Sequence, residues 1–384
     1  MLRLHKHILA HLLSSPATSP VSHLHRLISA AAPAISSSTG FAVEEYLVST
    51  CGLTRPQALK ACPKLSHLKS PSKPDAVLAL LAGLGLSAAD IASLVARDPR
   101  FLCAKVEKTL GPVVAGLAGV GLSPSEVTRL VSLSPHSFRS RSIVSKLHYC
   151  LPLFGSSENL LQALKRSSSL LSSDLDGVVK PNVALLRECG LGACDIAKLC
   201  SNQPGLLTIN PERFKGLVAC AEKIGVPRGS GLFRHALHAI AFDSEETITA
   251  RVEHLKTTFM WTDGEVGIAV SRFPLMLSRS KESLQRRSEF LISEVGLEPA
   301  FVAHRPVMLG HSLEGRLRPR YYAVKFLKEN GLLKRDPNYS TVFKMSEKVF
   351  RKKFIFPHKE AALHLAEDYD AACKGEVPTN FRFT

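Results

Sequence analysis

Eight basic side chains recur along the chain at nearly constant intervals: Lys73, Lys108, Lys146, Lys180, Lys215, Arg251, Arg287 and Arg320 are separated by 35, 38, 34, 35, 36, 36 and 33 residues. The chemistry open to such a row is ionic. A Lys or Arg set against a phosphate releases condensed counterions, so a periodic line of cations suits a linear polyanion. The same spacing also fits helix starts whose long basic side chains cover apolar surface and keep their charged heads in water. The sequence leaves both readings open. A denser cluster lies near the C-terminus, at Arg316, Arg318, Arg320, Lys325, Lys328, Lys334, Arg335, Arg351, Lys352 and Lys353. Between Arg305 and Glu360 fourteen basic residues face five acids, so most of the surplus charge sits there. The expected polyanion contacts are therefore Lys108, Lys146, Lys180, Lys215, Arg251, Arg287, Arg316, Arg318, Arg320, Arg351 and Lys352. Arginine can meet a guanine edge with two hydrogen bonds, whereas lysine mainly positions phosphate. Tyr321, Tyr322, Phe350, Phe354 and Phe356 lie among these charges and have faces on which bases can stack. Core packing is the reading adopted for them, because Val324, Phe326 and Leu327 share their pattern.

Other chemistry finds little support. Gly83-x-Gly85-x-x-Ala88 matches part of a dinucleotide-binding pattern, but it joins two helical stretches with no strand before it. Cys189, Cys194 and Cys200 lack metal spacing and read as small core residues, and His235-x-x-His238 has no evident third ligand. No Walker loop, nucleophile elbow or His-Glu-x-x-His occurs. No catalytic residue, metal or cofactor is expected, and the chain is not read as an enzyme. Nine cysteines, never in Cys-x-x-Cys, imply neither a disulfide framework nor a zinc ribbon. The longest apolar stretch, residues 76–86, is too short to cross a bilayer, so no membrane is expected as a partner.

The elements that would hold the basic row repeat with it. Gly52-Leu53-Thr54, Gly85-Leu86-Ser87, Gly121-Leu122-Ser123 and Gly190-Leu191-Gly192 each lead to a proline, at Pro63, Pro99, Pro135 and Pro204; later copies end at Pro274 and Pro306. Degenerate copies without the proline stand at Ser169-Leu170-Leu171 and Ile240-Ala241-Phe242. Thr54 with Gln57, Ser87 with Asp90, Ser123 with Glu126 and Thr262 with Glu265 have capping-box spacing, which predicts a helix start at one phase of each unit. The phased proline should end that first helix. A second helix carries its own proline at Pro74, Pro112, Pro181 and Pro319. Helices this short are marginal alone and must stack on their neighbours. The expected fold is all-α, an α-solenoid or superhelix of about eight tandem helix pairs of about 35 residues, with no sheet.

Gly85-Leu86-Ser87, Ile91, Leu94, Pro99 and Leu102, then Lys180-Pro181-Asn182-Val183 and Arg318-Pro319-Arg320-Tyr321, together resemble the mitochondrial transcription termination factor (mTERF) family. The ending from Tyr321 to Leu333, with Ser346-Glu347-Lys348-x-Phe350, is similar to plant members, and the likeness covers about residues 41–355. The resemblance implies an organellar nucleic-acid-binding protein without catalytic residues, and a monomer is expected. It further implies contact with double-stranded DNA along a concave groove, with an effect on transcription or its termination. RNA binding or splicing, and a protein-interaction scaffold in organellar RNA or ribosome maturation, are the competing readings. A formal charge of +16 agrees with a polyanionic partner without choosing among these.

Residues 1–40 hold Arg3, Lys6 and Arg26 and no acid, and are rich in Ser and Ala, which reads as a transit peptide, mitochondrial before chloroplast. The expected organisation is a lead at 1–40, a repeat array at 41–345 and a basic tail at 346–384.

Overall fold

The computed structural model describes residues 41–376, and the expected transit peptide lies outside them. The regular structure among these residues is helical, with no strand. They divide into two compact units, residues 41–179 with 200–208, and residues 180–199 with 209–376.

Within each unit the sequence period becomes a helix pair. The first helices include Ala88–Arg97, Pro124–Leu133 and Ser157–Arg166 in one unit, and Asp263–Arg272 and Pro299–His304 in the other. All four expected capping boxes are formed, at Thr54, Ser87, Ser123 and Thr262. Each satisfies N–H groups that the first helical turn would otherwise leave without partners. Ile91, Leu94 and Val95, and Val127, Leu130 and Val131, are buried at helical spacing as predicted. The phased prolines then close the helix. Pro99, Pro204, Pro274 and Pro306 each open a short 3-10 turn, and each proline is buried. The apolar pair behind the proline turns inward: Phe101 and Leu102, Leu206 and Leu207, Met276 and Leu277, and Met308 and Leu309 are all buried. Burying one such side chain contributes about 1.5–3 kcal/mol. Leu170 and Leu171, and Ile240 and Ala241, are buried in the same way, so the two degenerate copies keep the turn without its proline.

The second helices start earlier than their prolines suggest. Pro112, Pro181 and Pro319 each lie just after a π-helical turn, at Val106–Leu110, Leu175–Val179 and Leu313–Leu317. There Leu110 N–H donates to Lys105 O, Val179 N–H to Asp174 O and Leu317 N–H to Ser312 O, each five residues back. A proline in a regular helix would press its ring on the carbonyl four residues earlier. The widened turn gives that ring room.

The loop between one pair and the next has a left-handed residue at a fixed phase. It is glycine at Gly52, Gly85, Gly121, Gly155, Gly190, Gly225, Gly296 and Gly331, and methionine at Met260, with φ 55°. The left-handed region costs a side chain about 1–2 kcal/mol, and Met260 is 64% exposed, so little packing offsets it. Met260→Gly is therefore expected to stabilise the protein by about 0.5–1 kcal/mol, after the greater chain entropy of glycine is subtracted. A melting temperature that falls in this variant would contradict the assignment.

The expected basic tail is not a tail over most of its length. Residues 347–350, 351–355 and 365–374 are helical, and Phe350, Phe354, Ile355, Leu365 and Tyr369 are buried. Near Phe350 and Phe354 the apolar residues alternate with lysines at helical spacing, and Arg318–Glu329 packs against both 351–355 and 365–374.

Candidate nucleic-acid interface

The structure separates the expected contact residues into those that bind the protein itself and those that face solvent. Lys146 Nζ donates to Leu171 O at 2.8 Å. Arg251 donates to Leu277 O at 2.8 Å and pairs with Asp243. Arg287, 8% exposed, donates to His311 O at 3.0 Å and to Ser283. Arg320 is fully buried: one terminal nitrogen donates to Val342 O, Phe343 O and Met345 O, and the other reaches Glu347 at 2.9 Å. In each case the basic residue of a second helix holds backbone carbonyls behind the first helix of the following repeat. For Arg287 and Arg320 this corrects the expectation, since a buried guanidinium occupied in this way has little left for phosphate, while Lys146 and Arg251 are part-exposed and spend only some of their donors on the protein. Their spacing follows because these repeats present carbonyls without helical partners at about the same place.

A second series does the same one helix earlier, and the sequence reading missed it. Arg97 donates to Ser132 O at 2.6 Å and Arg272 to His304 O at 2.6 Å, and Arg166 makes the equivalent bond to Ser201 O. The partners stand 35, 32 and 35 residues apart, one repeat, and lie in the last turn of the next first helix. A cation there also complements the negative end of the helix dipole.

Several remaining candidates are paired with acids. Arg318 meets Glu314, Arg351 meets Glu347 and Asp370, and Lys215 meets Glu212 at 2.8 Å. Arg316 donates to His311 Nδ1 at 3.2 Å. Tyr321, Phe350 and Phe354 are buried, as the core reading expected, while Phe356 is 48% exposed.

Lys108, Lys180 and Lys352 are exposed. Around Lys352 the five acids between 305 and 360 are largely consumed by Arg318, Arg320, Lys325, Lys328 and Arg351. Lys334, Arg335, Lys344, Lys348, Lys352, Lys353 and Lys359 are left exposed, with no ion pair among the described residues. In the first unit Arg100, Lys105 and Lys108 are likewise exposed and unpaired on the edge formed by a post-proline turn and the start of a second helix. Arg141 grips the Lys108 carbonyl with two bonds, at 3.1 and 2.5 Å, which fixes that edge to the next repeat.

Among the described residues no group of His, Cys, Asp or Glu has the geometry of a metal site, and no helix is long and apolar enough to cross a membrane. The cysteines are free thiols, and burial raises the thiol pKa of Cys51, Cys150 and Cys200. Burial and the neighbouring Arg234 lower the pKa of His235 and His238.

Helix pairs with phased caps, prolines and left-handed glycines describe an architecture, and a family model covers most of it: the model described as mTERF matches residues 48–351. The chain belongs to the mTERF family. Its all-α helical-repeat fold is that of the family. One relative is the transcription termination factor MTERF8, chloroplastic, of Arabidopsis thaliana, 22% identical over 165 residues. That match covers 43% of this mTERF chain and 33% of the relative, so the chain spans about a third of the length of the relative it matches.

Proposed function

We propose that this mTERF-family chain binds duplex DNA in an organelle through phosphate contacts and regulates transcription there. One observation carries the reading: after internal carbonyls and acids have taken their share of Lys and Arg, exposed unpaired cations remain gathered in each unit. In the first unit they are Arg100, Lys105 and Lys108, and in the second Lys344, Lys348, Lys352 and Lys353. Unpaired cations held close together repel one another, and a polyanion relieves that repulsion. The printed name of the Arabidopsis relative favours the chloroplast over the mitochondrion as the compartment, and the acid-free lead suits either.

The test is equilibrium binding to a mixed-sequence DNA duplex and to a single-stranded RNA of equal length, over about 50–300 mM salt. On duplex DNA log K should fall with log salt at a slope of about −0.9 per phosphate contacted. A flat, weak response on both ligands would remove the proposal and favour a protein-interaction scaffold. Tighter, salt-dependent binding to the RNA would move the function to RNA maturation.

A further inference from the structure

The unpaired cations of the first unit border a hollow of about 360 Å³ lined by His67, Arg100, Cys103, Lys105, Thr109 and Arg139. We infer that this hollow is a phosphate subsite that anchors one or two phosphodiester groups of the bound strand, an inference that rests on the nucleic-acid reading above.

Its lining contains no carboxylate. Asp98 lies near and is held by Arg139 at 2.9 Å. Arg100 and Lys105 are exposed and have no ion pair among the described residues. The Thr109 hydroxyl donates to no protein acceptor among them, so it is available to an oxyanion. His67 is set against Cys103, Nε2 to Sγ 3.4 Å. The thiol sits within the field of Arg139, Lys73 and Arg100: burial raises its pKa, and these three cations oppose the rise. A guanidinium offers a planar fork, an ammonium a compact charge and a hydroxyl a directed hydrogen bond, which together match the oxygens of a phosphodiester. The floor is fixed by elements that cannot easily move: the buried Pro99, Phe101 and Leu102 behind Arg100, and the π-turn that carries Thr109.

The second unit supplies an internal contrast. A hollow of about 320 Å³ between the starts of two successive second helices is lined by Ser280, Glu282, Ser283, Arg286, Arg287 and Glu314, among others. Arg286 is paired with Glu314, and Arg287 is spent on carbonyls. Two carboxylates and no unpaired arginine make that hollow unsuited to an anion.

The experiment compares the full chain with Arg100→Ala/Lys105→Ala and with the control Arg286→Ala, and has two arms. In the first, affinity for the DNA duplex is titrated against salt. The double variant should lose about 1.8 from the magnitude of the salt slope, and roughly tenfold in affinity near 100 mM salt, with the control unchanged. If the parent binds and the double variant keeps its slope and affinity, the hollow is not a subsite, while the nucleic-acid reading stands. In the second arm, alkylation of Cys103 is followed by peptide mass spectrometry with iodoacetate and iodoacetamide. The anionic reagent should gain on the neutral one relative to exposed Cys194, and inorganic pyrophosphate should cancel that gain in the parent but not matter in the double variant. If the parent fails to bind nucleic acid, the function proposed above falls, and this arm still decides the hollow: protection by pyrophosphate supports an oxyanion site, and its absence overturns one.

Discussion

Arg320→Leu is expected to release the helices beyond residue 338 from the rest of their unit and to lower stability by about 3–5 kcal/mol. The cost comes mainly from the carbonyls. Val342 and Phe343 are buried, and their oxygens accept from Arg320 at 2.9 and 3.2 Å. Without the guanidinium they lose a donor where water cannot replace it, at about 1–3 kcal/mol for each unsatisfied group. The Glu347 side chain is 45% exposed and can rehydrate, so it adds less. The guanidinium also lies 4.8 Å over the Phe350 ring, which stacks on Tyr369 at 5.1 Å, so leucine would loosen that aromatic contact as well. Hydrogen exchange should accelerate across residues 339–376 while the first unit keeps its protection, and trypsin should cut between Lys344 and Lys353. Arg320→Lys should fall between the two, because an ammonium keeps the charge but not the fork. Unchanged exchange in Arg320→Leu would refute the role assigned here. This variant would also weaken nucleic-acid binding, through loss of the surface carrying Lys348 and Lys352, so a binding defect alone would not identify Arg320 as a contact.

The repeat was legible because its punctuation is chemical. A hydroxyl with a carboxylate or amide three residues on, proline at a helix end and glycine between pairs each have one dominant structural use, and Thr54, Ser87, Ser123 and Thr262 fulfil the first of them. The π-turns before Pro112, Pro181 and Pro319 left no such mark, since the sequence shows that a proline needs accommodation but not how it is given. The period of the basic row is legible in the sequence, whereas the internal partners of several of its members are not. A cation every 35 residues is what a phosphate backbone demands, and equally what a stack of identical helix ends demands. Only the placement of Leu171 O, Leu277 O and His311 O reveals what Lys146, Arg251 and Arg287 hold within the protein. Arg100 and Lys105 escaped notice for the opposite reason: they stand off the row, before the second helix, and gain significance only when His67 and Arg139 of neighbouring repeats close around them. In the C-terminal segment net charge hides the packing, because lysines at 348, 352 and 353 surround the buried Phe350 and Phe354, and Leu365 and Tyr369 follow them into the core.

Lys348→Glu/Lys352→Glu/Lys353→Glu is expected to weaken DNA binding about 10²- to 10³-fold near 100 mM salt and to reduce the magnitude of the salt slope by about 2.7, because three phosphates no longer meet a cation. The fold should hardly notice. All three lysines are exposed and have no ion pair among the described residues. The main interaction forfeited is that of Lys353 with the Phe354 ring at 5.6 Å, about 0.5 kcal/mol or less at an exposed site. The contrast with the neighbouring arginines is what makes the experiment decisive. Arg351 bridges Glu347 and Asp370, so its removal disturbs structure first and binding second. In the lysine variant, a retained melting temperature with reduced affinity places the polyanion on this surface, and full affinity at both low and high salt would leave the surplus charge of the second unit without a nucleic-acid role.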